Sequence, residues 1–123
     1  MDNFYRGGDV MVRKLNKIIE RPAGIGELKK ENENIATVEY SMKVMREIII
    51  TEEAEIEGFI QLNGKIRFIN EYKPVEPDEI YTLRLKDGRQ IDISLPLVNF
   101  PGKDFEFIVR NRTGFEPKAQ GDV

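Results

Sequence analysis

The pattern of apolar and polar residues between Glu79 and Leu95 predicts a β-hairpin. Apolar residues recur at every second position on both sides of Asp87-Gly88, namely Tyr81, Leu83, Leu85, Ile91, Ile93 and Leu95. A period of two residues places one face of each strand on a core and the other face in water. Asp87-Gly88 is typical of the tight primed turns that join two antiparallel strands.

The same alternation predicts further strands. The longest lies within Ile35–Thr51, where the alternation slips in phase at Ile48-Ile49-Ile50. Such a slip is typical of a bulge or of a corner between two sheets. Asn63-Gly64 lies between two alternating runs and predicts a second primed turn. A last strand is predicted by Phe105, Phe107 and Val109.

Residues 9–21 are predicted to form one amphipathic helix. Met11, Leu15 and Ile18 follow the i, i+4, i+7 spacing of a helical face. The cations that would then face solvent are Arg13, Lys14 and Lys17. Pro22 stands where such a helix would end.

Together these patterns predict a mainly β fold, a small antiparallel β-barrel or β-sandwich of about 6–8 strands with one N-terminal amphipathic α-helix. We expect a single β-rich domain over residues 9–110, a flexible leader at 1–8 and a flexible C-terminal tail at 111–123.

Composition narrows the classes of function. The chain of 123 residues contains no cysteine and no histidine, which excludes disulfides, Ser-His-Asp triads and the usual zinc ligands. The net charge of −3 argues against the basic surface of a nucleic-acid-binding domain. No run approaches the ~20 apolar residues of a membrane span, and the first residues lack the pattern of a secretory signal. We therefore expect a cytoplasmic protein without a cofactor.

Two groups of polar residues are candidates for chemistry. Four acidic residues lie close together, at Glu52, Glu53, Glu55 and Glu57. They lack the alternating ligands and the glycine of a calcium-binding loop, so a solvated connection explains them better. Ser41 and Lys43 share one strand face, but alternating polar positions account for both, and no elbow motif surrounds the serine. The sequence therefore indicates no catalytic or metal-binding residues.

Phe59 is out of phase with the apolar positions around it, which predicts an exposed aromatic ring. An exposed phenylalanine among polar residues is typical of a contact surface. The predicted interaction surface consists of Phe59, Glu55, Glu57 and Gln61. We expect a non-catalytic binding or assembly module with a protein partner or a second copy of the chain.

Two alternatives remain open from the sequence. One is a small β-barrel that holds an apolar or amphiphilic ligand. The other is an OB-like domain that stacks nucleic-acid bases on aromatic rings next to cations. The candidate residues for stacking and charge are Phe59, Phe68, Tyr72, Tyr81, Lys65, Arg67, Arg84 and Arg89.

Overall fold

A computed structural model describes residues 3–7, 10–96 and 104–118, and describes side chains over residues 12–96 and 104–118. These ranges contain eight β-strands. In chain order they are β1 (Asn3–Gly7), β2 (Val10–Glu20), β3 (Ala23–Lys30), β4 (Glu33–Ile50), β5 (Glu55–Glu71), β6 (Tyr81–Arg84), β7 (Gln90–Ser94) and β8 (Phe105–Asn111).

Six of the strands close into an antiparallel barrel. Around the ring the order is β4-β3-β6-β7-β8-β5, and β5 returns to β4. Outside this ring β2 pairs with β4, and β1 pairs with β2. The fold is therefore a single β-barrel domain with two additional strands on one side.

The core of the barrel is made by side chains that point inward from the six ring strands. Most are less than 3% exposed. The buried hairpin residues are Tyr81, Leu83, Leu85, Ile91, Ile93 and Leu95, which confirms the predicted core face of β6 and β7. Each fully buried aliphatic side chain contributes about 1.5–3 kcal/mol relative to an exposed one.

The turn of the β6–β7 hairpin has three residues, Lys86, Asp87 and Gly88, between the hydrogen-bonded pair Leu85 and Arg89, rather than two. The Leu85 amide donates to the Arg89 carbonyl at 2.8 Å, and the Gly88 amide donates to the Leu85 carbonyl at 3.0 Å. Gly88 has a φ of 94°, whereas Asp87 does not have a positive φ. The predicted primed turn is therefore wrong in type, because a type I turn followed by a left-handed glycine joins these strands.

A two-residue turn with two positive φ angles joins β3 to β4 instead. Glu31 has a φ of 52° and Asn32 a φ of 67°. Lys30 and Glu33 are paired on either side of them. This is the backbone geometry of a primed hairpin turn.

Asn63-Gly64, predicted as a turn, lies in the middle of β5. Gly64 is paired with Met42 of β4 and with Phe107 of β8. A Cβ atom here would lie 2.7 Å from the Phe107 ring and from the Ser41 carbonyl oxygen. The glycine is thus explained by the close approach of three strands rather than by a turn.

The predicted N-terminal helix is wrong, because residues 10–20 form β2 and the described ranges contain no helix. The predicted start at residue 9 lies outside those ranges. Ile18 pairs with Met45, but Glu20 pairs with Val44, so a bulge lies at Ile19. Leu15 and Ile18 precede this bulge and are three residues apart, so they lie on opposite faces of β2, and apolar residues on both faces of a strand produce a spacing that resembles a helical face.

The segment 112–118 packs against the barrel. Phe115 is fully buried, although the sequence places it in a predicted flexible tail. The Gln90 amide donates to the Gly114 carbonyl at 3.1 Å. Residues 119–123 lie outside the described ranges, as do residues 1, 2 and 8 of the predicted leader.

The position of Asn63 within a strand can be tested against the true turn at Asn32. We expect Asn63→Thr to change the unfolding free energy by less than about 0.5 kcal/mol, because a strand accepts a β-branched residue. Asn32→Thr should lower it by about 1 kcal/mol, because threonine is strained at positive φ. Urea unfolding followed by circular dichroism measures both, and the opposite ranking would contradict the assignment of β5.

Candidate protein-binding surface

Part of the sheet extends beyond the closed ring, and we call this part the arm. It consists of β1, β2, residues Val44–Ile50 of β4 and residues Glu55–Leu62 of β5. The strand order across it is β1-β2-β4-β5. The arm is therefore a four-stranded antiparallel sheet built on the two longest strands of the barrel.

The two faces of the arm differ in what lies next to them. Residues paired across strands share a face. The inner face carries Lys17, Arg46 and Ile60, and it borders a depression that is also lined by residues 116–118. The opposite face, which we call the outer face, carries Ile18, Met45, Gln61, Lys14, Ile49 and Ile56.

Apolar side chains of the arm remain open to solvent. Residues Met45 to Ile50 of β4 are all half-buried, whereas Met42 and Val44 within the barrel are buried. On the outer face Ile18 is 37% exposed and Ile56 is 50% exposed. The described residues provide no second layer to cover this face, so the arm presents apolar surface to solvent.

A bulge in β5 explains the position of Phe59. Arg46 pairs with Ile60 and Ile48 pairs with Glu57, so Glu47 alone lies opposite both Gly58 and Phe59. The extra residue breaks the alternation of β5. Phe59 is 81% exposed, the highest value among the large exposed hydrophobic side chains described.

One edge of the arm lacks a neighbouring strand. Strand β8 pairs with β5 only at Gly64, Lys65 and Ile66. Within the described ranges, Glu55–Asn63 of β5 therefore has a strand partner only on its β4 side. Such an edge exposes backbone donors and acceptors that can pair with another chain.

The end of the arm is acidic. Thr51 organises the turn from β4 to β5, where its hydroxyl donates to the Ala54 carbonyl at 3.1 Å and accepts from the Ala54 amide at 3.1 Å. The exposed carboxylates on and beside this turn belong to Glu52, Glu53, Glu55 and Glu57. Arg46 lies 3.5 Å from Glu57, and no described cation lies within ion-pair distance of the other three.

The structure places all four predicted interaction residues on β5 of the arm. Phe59, Glu55, Glu57 and Gln61 are all exposed. Glu55 and Glu57 share the inner face, whereas Gln61 lies on the outer face. The sequence did not reveal the exposed Ile18, because β2 was predicted as a helix with Ile18 on its core face.

The other predicted candidates do not form a site in the described ranges. Tyr81 is 2% exposed and belongs to the core, and Phe68 packs on Phe105 at 5.7 Å between ring centroids. Ser41 and Lys43 both lie exposed on β4. Within residues 12–96 and 104–118, no three acidic side chains are placed to hold a metal ion. The same ranges contain no helix that could span a membrane.

A partly buried ionic cluster lies where the arm joins the barrel, and we call it the Arg89 cluster. The Arg89 guanidinium donates to both carboxylate oxygens of Glu20, at 3.0 and 2.5 Å, and to Asp87 at 3.0 Å. It also lies 4.3 Å from the centre of the Phe115 ring. The Lys118 amide donates to Glu20 at 2.9 Å. The cluster thus connects the last residue of β2, the β6–β7 loop and the segment 115–118.

The charges of this cluster stabilise one another. The hydrogen bond from Arg89 lowers the pKa of Glu20 below its ordinary value. Burial alone would raise the pKa of Asp87, but hydrogen bonds from Arg89 and Lys118 lower this pKa to about 2. The hydrogen bond to Glu20 in turn raises the pKa of Arg89. All three groups are therefore ionised at neutral pH, and the base of the arm is held by paired charges.

Comparison of the chain with family models, with curated proteins and with solved structures finds no match.

Replacing Arg89 by lysine tests the cluster. Lysine keeps the charge but cannot reach Glu20 with two parallel hydrogen bonds or stack on Phe115. We expect Arg89→Lys to lower the unfolding free energy by about 2 kcal/mol in urea titrations. Arg84→Lys, at an exposed position of β6, is the control and should have little effect. Equal losses from both variants would contradict a special role for Arg89.

The low pKa of Asp87 makes the unfolding free energy depend on pH in the acidic range. Its pKa in the folded protein lies below the ordinary value of 3.8, so its contribution is complete above about pH 4 and disappears as the pH falls towards 2. Asp87→Asn should therefore be less stable at neutral pH and lose less stability than wild type between about pH 4 and 2. Asp78→Asn in the loop before β6 is the control. If Asp87→Asn lost as much stability as wild type between about pH 4 and 2, the assigned role of Asp87 would be contradicted.

Proposed function

We propose that this protein is a non-catalytic binding or assembly module and that the arm is its contact surface. The observation that carries the proposal is the exposure of Ile18, Ile56 and Phe59 on a sheet extension that the described residues leave uncovered. A sheet without a second layer gains little stability from burial on its own. Binding of a partner would supply the missing layer or neighbouring strand.

The surroundings of these residues match the anatomy of a protein interface. Interfaces combine apolar anchors with a polar rim that excludes water. Phe59 is an aromatic side chain of the type enriched at interface centres, and Glu57 and Gln61 lie exposed near it on β5. The free edge of β5 adds backbone groups that a partner strand can pair with.

The two alternatives, a barrel that holds a small ligand and a domain that binds nucleic acid, receive less support from the structure. The inward-facing residues of the ring strands fill the barrel, and Val38, Ile66 and Leu83 have no exposed surface. A ligand inside the barrel would have to displace such side chains. Four carboxylates near the end of the arm would repel a phosphate backbone. A protein partner is compatible with both observations.

Substitutions on the arm test the proposal. We expect Phe59→Ser and Ile56→Ser to remove the high-mass species that wild-type protein forms when it is purified gently from host extract. Loss of an exposed anchor should weaken the complex by about tenfold or more, because removing an interface hot spot costs about 2 kcal/mol or more and about 1.4 kcal/mol already corresponds to tenfold. Size-exclusion chromatography with light scattering measures the mass of the species.

Ile25→Ser and Ile69→Ser are the matched controls, because these isoleucines are 55% and 47% exposed on the barrel. These two substitutions remove a similar apolar side chain outside the arm and should leave the high-mass species intact. If the arm variants and the barrel variants behave alike, or if wild type forms no complex in extract, the arm is not the contact surface.

A further inference from the structure

We propose that Phe59 of one copy of this chain inserts into the depression beside the inner face of the arm of a second copy. This inference rests on the proposed function and specifies that the partner is the chain itself. It connects an aromatic ring that projects into solvent with an apolar depression on the other face of the same arm.

The depression has an apolar floor. Ile19, Ile48 and Ile60 line it from the arm, and Pro117 lines it from the segment that the Arg89 cluster holds. Ile19 and Ile60 also pack against the barrel core, so close-packed neighbours hold the floor in place. The volume is about 430 Å³, within the range of roughly 300–1,000 Å³ that preformed binding sites have. One aromatic ring and the side chains beside it therefore fit.

Phe59 cannot fill the depression of its own copy. It directly precedes Ile60, and successive side chains of a strand point to opposite faces. Ile60 lines the depression, whereas Phe59 is 81% exposed and is not among the lining residues. The ring therefore reaches such a depression only on another molecule.

An inserted Phe59 has the features of an interface hot spot. Hot spots are enriched in aromatic side chains that fill a pocket on the partner and lose contact with water. The ring would also cover Ile48 and Ile60, which are only half-buried in one copy. Insertion thus removes apolar surface from water on both sides of the contact.

Most charges at the depression are satisfied within one copy. Arg46 lies 3.5 Å from Glu57, and Lys118 lies 3.2 Å from Asp87. Lys17 also lines the depression and is exposed, and it has no ion pair among the residues whose side chains are described. Lys17 is therefore the cation that remains available to a partner.

The surroundings of Phe59 match this cation. Residues 52–61 contain four glutamates and no cation. Lys17 lines the depression from β2, whereas the carboxylate of Glu116 belongs to the segment 116–118 on its other side. A second copy that enters on the β2 side brings its carboxylates to Lys17, and opposite charges favour this orientation.

The contact is heterologous, because the Phe59 ring and the depression are different surfaces of the arm. Each copy can use both surfaces at once. Such contacts close into rings or continue as filaments, according to the rotation between successive copies. A copy that has lost one of the two surfaces still offers the other to a neighbour.

Sedimentation velocity on purified protein tests the insertion. We expect wild type to associate as its concentration increases. Phe59→Ser removes the ring, and Ile48→Trp fills the depression with a side chain that a strand accepts. Each variant should lower the association constant by about tenfold or more, as loss of a hot spot does. Circular dichroism verifies that both variants are folded.

A mixture of the two variants is decisive. Phe59→Ser keeps the depression and Ile48→Trp keeps the ring, so the mixture should form a 1:1 pair that grows no further. The controls are Tyr72→Ser and Ile25→Trp, which change exposed side chains of the barrel in the same way and should associate like wild type.

Cross-linking gives a second measurement that does not depend on filling the depression. The chain contains no cysteine, so a single cysteine can be placed at each surface. Gln61→Cys lies two residues after Phe59, and Glu116→Cys lies at the depression. A bis-maleimide should join these two variants into a dimer. Glu31→Cys, in the turn before β4 and thus at the far end of β4 from the arm, is the control and should not be joined to Gln61→Cys.

The outcomes separate this inference from the proposed function. Insertion of Phe59 would be overturned by a wild type that stays monomeric, by folded variants that fail to bind each other, or by equal cross-linking of Gln61→Cys to both partners. If complexes from extract still depended on Phe59, the arm would then bind a different protein and the proposed function would stand. If those complexes were also independent of the arm, both proposals would be wrong.

Discussion

The pairing of β4 on both of its edges is the constraint on which the rest of the structure depends. Along one edge β4 pairs with β5 at fourteen positions, from Ala36 to Ile50. Along the other edge it pairs first with β3 and then, from Val44 onward, with β2. Because buried backbone groups must find partners, the strand that leaves the ring needs new neighbours. The arm is the result, since β2 and the outer half of β5 provide them.

The arm and the barrel are stabilised by different forces. Inside the ring, apolar side chains such as Val38 and Leu83 have no exposed surface, so burial dominates. At the base of the arm, Glu20 of β2 is held by Arg89, a residue that also stacks on the buried Phe115. Farther out, β4 is only half-buried. Stability therefore falls from the barrel towards the end of the arm, which is where a partner can contribute most.

The sequence predicted a mainly β, antiparallel fold, but it did not choose between a barrel and a sandwich, and it was right where one face of each strand is fully buried, because the alternation is then regular, as it is from Tyr81 to Leu95. Prediction from the sequence failed where the tertiary structure alters the alternation of apolar and polar residues. Apolar residues on both faces of β2 made this strand resemble a helix, and the crowding around Gly64 made a strand interior resemble a turn. Phe59 was recognisable because its bulge leaves it out of phase. Phe115 is buried and packs against Arg89, which is distant in sequence, and no local pattern indicates this burial.

The continuity of β4 and β5 through both parts of the molecule has a mechanical consequence. No flexible linker separates the arm from the barrel, because the same two strands form the wall of one and the middle of the other. A tension applied to the arm along its strands would load the hydrogen bonds between β4 and β5 in shear, so that they resist together rather than break one at a time. The arm is thus continuous with the barrel, and a partner that holds the arm also constrains the orientation of the barrel.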